Sequence, residues 1–142
     1  MTLLISEDLV RDLRRHGETA YPEEGAGLIL GSADGETRLA AQLRPLANRS
    51  PDGARRRRYE IDPRDLMRVE DEAEQGGLEV VGIYHSHPDH PAAPSETDRE
   101  WALPWYVYVI TSVQGGRAVE STGWRLADNR ARFEPVLIRT DP

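Results

Sequence analysis

"GIYHSHPDHPAAPSETD", residues 82–98, places three of the chain's four histidines, His85, His87 and His90, within six positions and follows them with Ser95 and Asp98. The run leading into it, "LEVVGIYH" at 78–85, is rich in β-branched and aromatic residues and predicts a strand that ends in the histidines. Side chains alternate along a strand, so His85 and His87 leave the same face. Two imidazoles on one face suit a transition metal, zinc being the commonest. A catalytic zinc takes three protein ligands and leaves the fourth position to water. The third ligand must come from nearby, and two completions compete: one through Asp89 and His90, the other through Ser95 and Asp98.

The segments on either side decide how many layers surround this strand. Residues 4–19 predict an amphipathic helix, with Ser6 as N-cap, Glu7 and Asp8 in the first turn, and Ile5, Leu9, Val10 and Leu13 on one face. Tyr21-Pro22 ends it. "GLILG" at 27–31 reads as a buried strand, and Asp34-Gly35 turns it into a second strand over 37–46. Residues 47–58, "ANRSPDGARRRR", form a polar loop. Asp62-Pro63 opens a second helix that stops at Gly76-Gly77, with Leu66, Val69 and Ala73 inward. A short helix over 96–103 follows the histidine loop, then strands at 105–111, 118–126 and 132–138. Strands and helices alternate without repeats or a linker. The expectation is one α/β (α+β) domain over residues 1–142, a central mixed β-sheet flanked by helices.

Composition removes several function classes. At 142 residues and 38% hydrophobic the chain supports one modest core, and no segment approaches the roughly 20 apolar residues of a bilayer span. The start, "MTLLISED", lacks a positive n-region and is not expected to be a signal peptide. With no cysteine there is no disulfide, no thiol nucleophile and no cysteine-ligated zinc. All 18 basic residues are arginine, which removes lysine chemistry, and the net charge of −7 weighs against a nucleic-acid partner. These features point to a cytoplasmic protein indifferent to redox state.

Of the two completions, His85-Ser86-His87-Pro88-Asp89-His90 fits H-x-H-x-D-H, the pattern of metallo-β-lactamase-like hydrolases. Those enzymes need further histidines downstream and a larger fold, and this chain has no histidine after His90. The other, H-x-H-P-x5-P-S-x2-D through His85, His87, Ser95 and Asp98, resembles the JAMM (MPN+) metalloprotease signature position by position. "YPEEGAGLILG" at 21–31 is similar to that family's E-x-x-G-x-x-x-G segment, which selects Glu24 rather than Glu23. "YEIDP" with the helix after it resembles the small bacterial members, so the resemblance spans residues 5 to about 125. Ala26 departs from the cysteine that many of those relatives carry.

Each of these residues has a plainer reading alone. Ser95 and Asp98 also fit a helix capping box, and the two roles are compatible. Glu23 and Glu24 are unremarkable surface acids without the family pattern. His90 reads as a loop residue, Trp101, Trp105, Tyr106 and Tyr108 as packing, and Arg55–Arg58 as a solvated run or a contact to an acidic partner.

The resemblance implies a single domain with an architecture similar to cytidine deaminases. It implies one Zn²⁺ per chain held by His85, His87 and Asp98, Glu24 as general base and Ser95 as donor to the oxyanion. The implied reaction is hydrolysis of an amide or isopeptide bond after the C-terminal diglycine of a ubiquitin-like or sulfur-carrier (β-grasp) protein. The rival is a non-catalytic scaffold of the same fold. A zinc deaminase is excluded because its P-C-x-x-C ligands are absent, and nothing supports a DNA-repair role.

Overall fold

The computed structural model describes residues 1–140. Its elements are β1 (Thr2–Leu4), α1 (Glu7–Ala20), β2 (Ala26–Asp34), β3 (Thr37–Leu46), α2 (Pro63–Gln75), β4 (Glu79–Pro88), α3 (Glu96–Trp101), β5 (Val107–Gln114), β6 (Arg117–Leu126) and β7 (Phe133–Arg139), with one 3₁₀ turn at 52–54. Local chemistry sets most boundaries. Ser6 Oγ accepts the Leu9 N–H at the start of α1, and the Asp62 carboxylate accepts the Arg64 N–H at the start of α2, where Pro63 occupies the first turn.

The strands form one mixed sheet in the order β1-β3-β2-β4-β5-β6-β7, and the sheet closes because β1 pairs in parallel with both β3 and β7. Two differences from the sequence expectation follow. The helix expected from Leu4 starts at Glu7, because Thr2–Leu4 is a strand. Leu3 and Ile5 are buried among Leu13, Val109 and Val136 rather than lying on a helix face. Three residues are too few to show a period, and what makes them a strand is the pair of edges they bridge. Strand β4 also carries its pairing through the histidines to Pro88, since β5 pairs His85 with Ile110 and His87 with Ser112.

One apolar cluster joins Leu28, Ile83 and Tyr108 to Val69 and Ala73 of α2; the other joins Ile29, Val81 and Tyr84 to Leu13 of α1. Neighbours on β4 alternate between them: Ile83 packs toward α2 and Tyr84 toward α1, which sends His85 and His87 to the α2 side. Strand β2 lies antiparallel to β4, with Ala26 opposite His85. Two glycines let β2 pack closely between its neighbours, Gly27 against β4 and Gly31 against β3. A Cβ on Gly27 would lie 2.4 Å from the Tyr84 ring, and one on Gly31 would lie 1.7 Å from the Leu39 carbonyl oxygen, where the β2–β3 register shifts. The pairing brings Glu24, just ahead of β2, to the histidine end of β4. Among the described residues no helix is long and apolar enough to cross a membrane.

Candidate metal centre

His85 and His87 are both buried, and their Nε2 atoms stand 3.1 Å apart. The Asp98 carboxylate faces both, with Oδ1 at 3.2 Å from His85 Nε2 and Oδ2 at 3.1 Å from His87 Nε2. Donor atoms on a tetrahedral zinc, with bonds of about 2.0–2.1 Å, lie about 3.3 Å from one another. The three side chains are therefore spaced as ligands around one small cation. A carboxylate oxygen of Glu24 lies within 4.8 Å of both imidazoles, and Glu24, His85 and His87 form a buried group that can hold a metal ion.

The hydrogen bonds behind this triangle choose its protonation. His87 Nδ1 lies 2.9 Å from the Pro91 carbonyl, which can only accept, so the ring proton sits on Nδ1 and the Nε2 lone pair faces Asp98 and His85. Burial holds the His85 imidazole below its usual value, hence neutral, as a ligand must be. Burial would also lower His87, but the hydrogen bond and charge of Asp98 outweigh it and leave His87 above its usual value. Burial pushes Asp98 up, yet His85, His87 and the Ser95 N–H draw it far below the carboxylate range. A cation is thus called for between Asp98 and the histidines, and a proton fills that role if no metal does.

Glu24 is placed differently. It is 5% exposed, its Oε1 has no hydrogen-bond partner, and burial raises it to about 8. Its backbone is held from the polar loop: the Arg55 carbonyl accepts its N–H at 2.7 Å, and the Asn48 amide donates to its carbonyl at 2.9 Å. The same amide donates to the Arg58 carbonyl and accepts the N–H groups of Ser50 and Glu60, so Asn48 uses all four of its hydrogen-bonding positions. From the other face of β4, Ser86 Oγ accepts the Gly25 N–H at 2.8 Å.

Ser95 is the N-cap of α3, and its capping box is complete: Oγ accepts the Asp98 N–H at 3.0 Å and the Ser95 N–H reaches Asp98 Oδ2 at 2.9 Å. The box uses a lone pair of Oγ and leaves its proton free. At the other end of α3 the Arg130 guanidinium donates to the carbonyls of Arg99, Glu100 and Ala102. His90 is exposed and stands at the rim of a cleft of about 310 Å³ that opens beside His87. The sequence pattern assigns no role to Tyr59, whose ring stacks on His85 with centroids 4.4 Å apart. Asn48, Ser86 and Arg130 were silent too, because each acts through a backbone group that is distant in sequence.

Residues 6–127 match the prokaryotic homologs of the JAB domain, Prok-JAB. The chain belongs to the Prok-JAB family. Among Prok-JAB relatives it is similar to a desampylase of Haloferax volcanii, 40% identical over 66% of each chain. It is also similar to a CysO-cysteine peptidase of Mycobacterium bovis, 31% identical over 96% of this chain and 90% of that one. A Salinibacter ruber protein solved in solution shares the fold, with a TM-score of 0.75 and 41% identity over 100% of this chain and 93% of that one.

Proposed function

We propose that this Prok-JAB chain is a zinc-dependent metallopeptidase that hydrolyses the amide or isopeptide bond after the C-terminal diglycine of a ubiquitin-like or sulfur-carrier protein. The observation that carries the reading is the triangle of His85 Nε2, His87 Nε2 and the Asp98 carboxylate, with the unpartnered Glu24 Oε1 beside it. His85, His87 and Asp98 would hold the zinc. Zinc, when bound, would lower the pKa of a water to about 7 and polarise the scissile carbonyl.

The remaining steps belong to side chains. A cation held beside Glu24 would draw it from the neutral form that burial favours to the carboxylate, whose unpartnered Oε1 then takes the proton of the attacking water. The same carboxyl then delivers that proton to the departing amine, which leaves only once protonated. The Ser95 hydroxyl donates to the oxyanion that forms as the carbonyl is attacked, a contact of order 3 kcal/mol at comparable sites. Pairing of β2 with β4 keeps Glu24 in register with the histidines throughout.

The test is zinc per chain after dialysis, together with hydrolysis of a diglycine-extended substrate. One zinc per chain, lost in His87→Ala, and turnover lost in Glu24→Gln with the zinc retained are the expected results. A chain that takes up no zinc on reconstitution would favour the scaffold reading.

A further inference from the structure

We propose that the cleft beside His87 is a carboxylate subsite, in which Arg57 holds the α-carboxylate of a single amino acid released when the bond after the diglycine is cut. The proposal rests on the peptidase reading and narrows it, since that reading leaves open whether a free amino acid or a protein lysine departs.

The cleft, about 310 Å³, is lined by Arg57, His87, His90, Pro91, Ala93 and Ser95, without an acidic side chain. Its size lies at the lower end of pockets that take small molecules, about 300–1,000 Å³. Arg57 is exposed and has no acidic partner among the described residues. Its neighbour Arg55, by contrast, is committed to the loop, pairing with Asp52 at 2.7 Å and donating to the Ser50 carbonyl at 2.9 Å. The position of Arg57 is nevertheless set, because its N–H is bonded to the Ala54 carbonyl and the Arg55 carbonyl is bonded to Glu24. Asp89, which shares an adjoining recess with Arg57, accepts the Tyr21 hydroxyl at 2.6 Å and the Gly115 N–H at 2.8 Å and makes no ion pair with Arg57.

On the other flank of the centre a recess of about 360 Å³ begins at Tyr59 and is walled by Ile61, Leu66, Trp101, Leu103 and Tyr106. Its one charged lining residue is Glu60, so it suits an apolar side chain and repels a carboxylate. The two flanks therefore sort the two halves of the substrate. An amino acid joined through its α-nitrogen carries its carboxylate one carbon from the breaking bond, within the small cationic cleft. A departing lysine side chain offers only methylenes at that point. A guanidinium matches a carboxylate with two parallel hydrogen bonds, which is why charge and shape both count here.

The experiment uses two peptides ending in Gly-Gly-Ala that differ only in bearing a free carboxylate or a carboxamide. Binding is measured calorimetrically to zinc-loaded Glu24→Gln protein, and hydrolysis is followed with the wild type. The free acid should bind about tenfold more tightly, consistent with a charged hydrogen bond. Adding Arg57→Gln should bring the two peptides to parity, and Arg57→Lys should recover part of the preference. Equal affinity for both peptides, no binding of either at millimolar concentration, or a preference that survives Arg57→Gln would overturn the subsite. If the preference depends on Arg57 but the wild type cleaves neither peptide, the subsite stands and the peptidase reading falls.

Discussion

At the scale of single residues, what separates the two zinc patterns in 85–98 is burial. Asp98 is 8% exposed and touches both imidazoles, whereas His90 is exposed at the cleft rim. Asp98→Ala should therefore lower zinc content sharply while His90→Ala keeps about one per chain; elemental analysis of both variants decides, and the reverse result would remove the assignment. Glu24 gives a second test. Its carboxyl ordinarily titrates near 4.5, and burial raises it to about 8. Between those values the unfolded chain has lost this proton and the folded chain keeps it, so metal-free protein loses stability from this group as pH rises from 4.5 to about 8 and no further beyond. Glu24→Gln removes that dependence. The melting temperature of the variant should gain on the wild type across this range, and a constant gap would mean that Glu24 is not held neutral. The motif E-x-x-G-x-x-x-G pointed to Glu24, but its unpartnered oxygen is a property of the packing around it.

At the scale of elements, the short α3 and the loop 47–58 do what their sequences alone do not suggest. A six-residue helix is unstable by itself. Here a capping box that contains Asp98 holds one end and Arg130, 32 positions away, holds the other, so the helix presents Asp98 to the histidines. The loop reads as a polar, arginine-rich connection, yet Asn48 ties its two ends to the Glu24 backbone. Asn48→Ala should cut kcat by about tenfold, the effect of one lost buried hydrogen-bond set near 1.4 kcal/mol. KM and zinc content should change little. A fall in zinc content that matches the fall in rate would show that Asn48 supports the ligands instead of the base. Helix caps, the Asp34-Gly35 turn and the strand periods were legible because each is a local pattern. The Asn48 and Arg130 bonds were not, because a hydrogen bond to a distant carbonyl leaves no spacing in the sequence.

At the scale of the whole molecule, the fold and the centre support one another. The proposed ligands come from β4 and α3 and the proposed base from the turn before β2, so an ion held by the first two would stabilise the folded arrangement of all three. Zinc at about 100 times its Kd adds roughly 2.7 kcal/mol. For a chain of this size that corresponds to a rise in melting temperature of roughly 5–10 °C. Thermal unfolding with and without a chelator measures it, and His87→Ala should melt at the same temperature in both. An equal chelator effect in His87→Ala would place the ion elsewhere.

The sequence by itself determined the spacing of His85, His87, Ser95 and Asp98, that the two histidines leave one face of a strand, and the one-sheet, mixed α+β architecture. These rest on residue types at short, fixed spacings, and the side-chain period of a strand or helix makes such spacings readable. Only the tertiary structure decided that Thr2–Leu4 closes the sheet between β3 and β7, that β4 carries its pairing past the histidines, and that Tyr59, Asn48 and Arg57 stand at the centre. Each of these depends on which distant edge, carbonyl or ring a residue meets, and chain spacing holds no record of that.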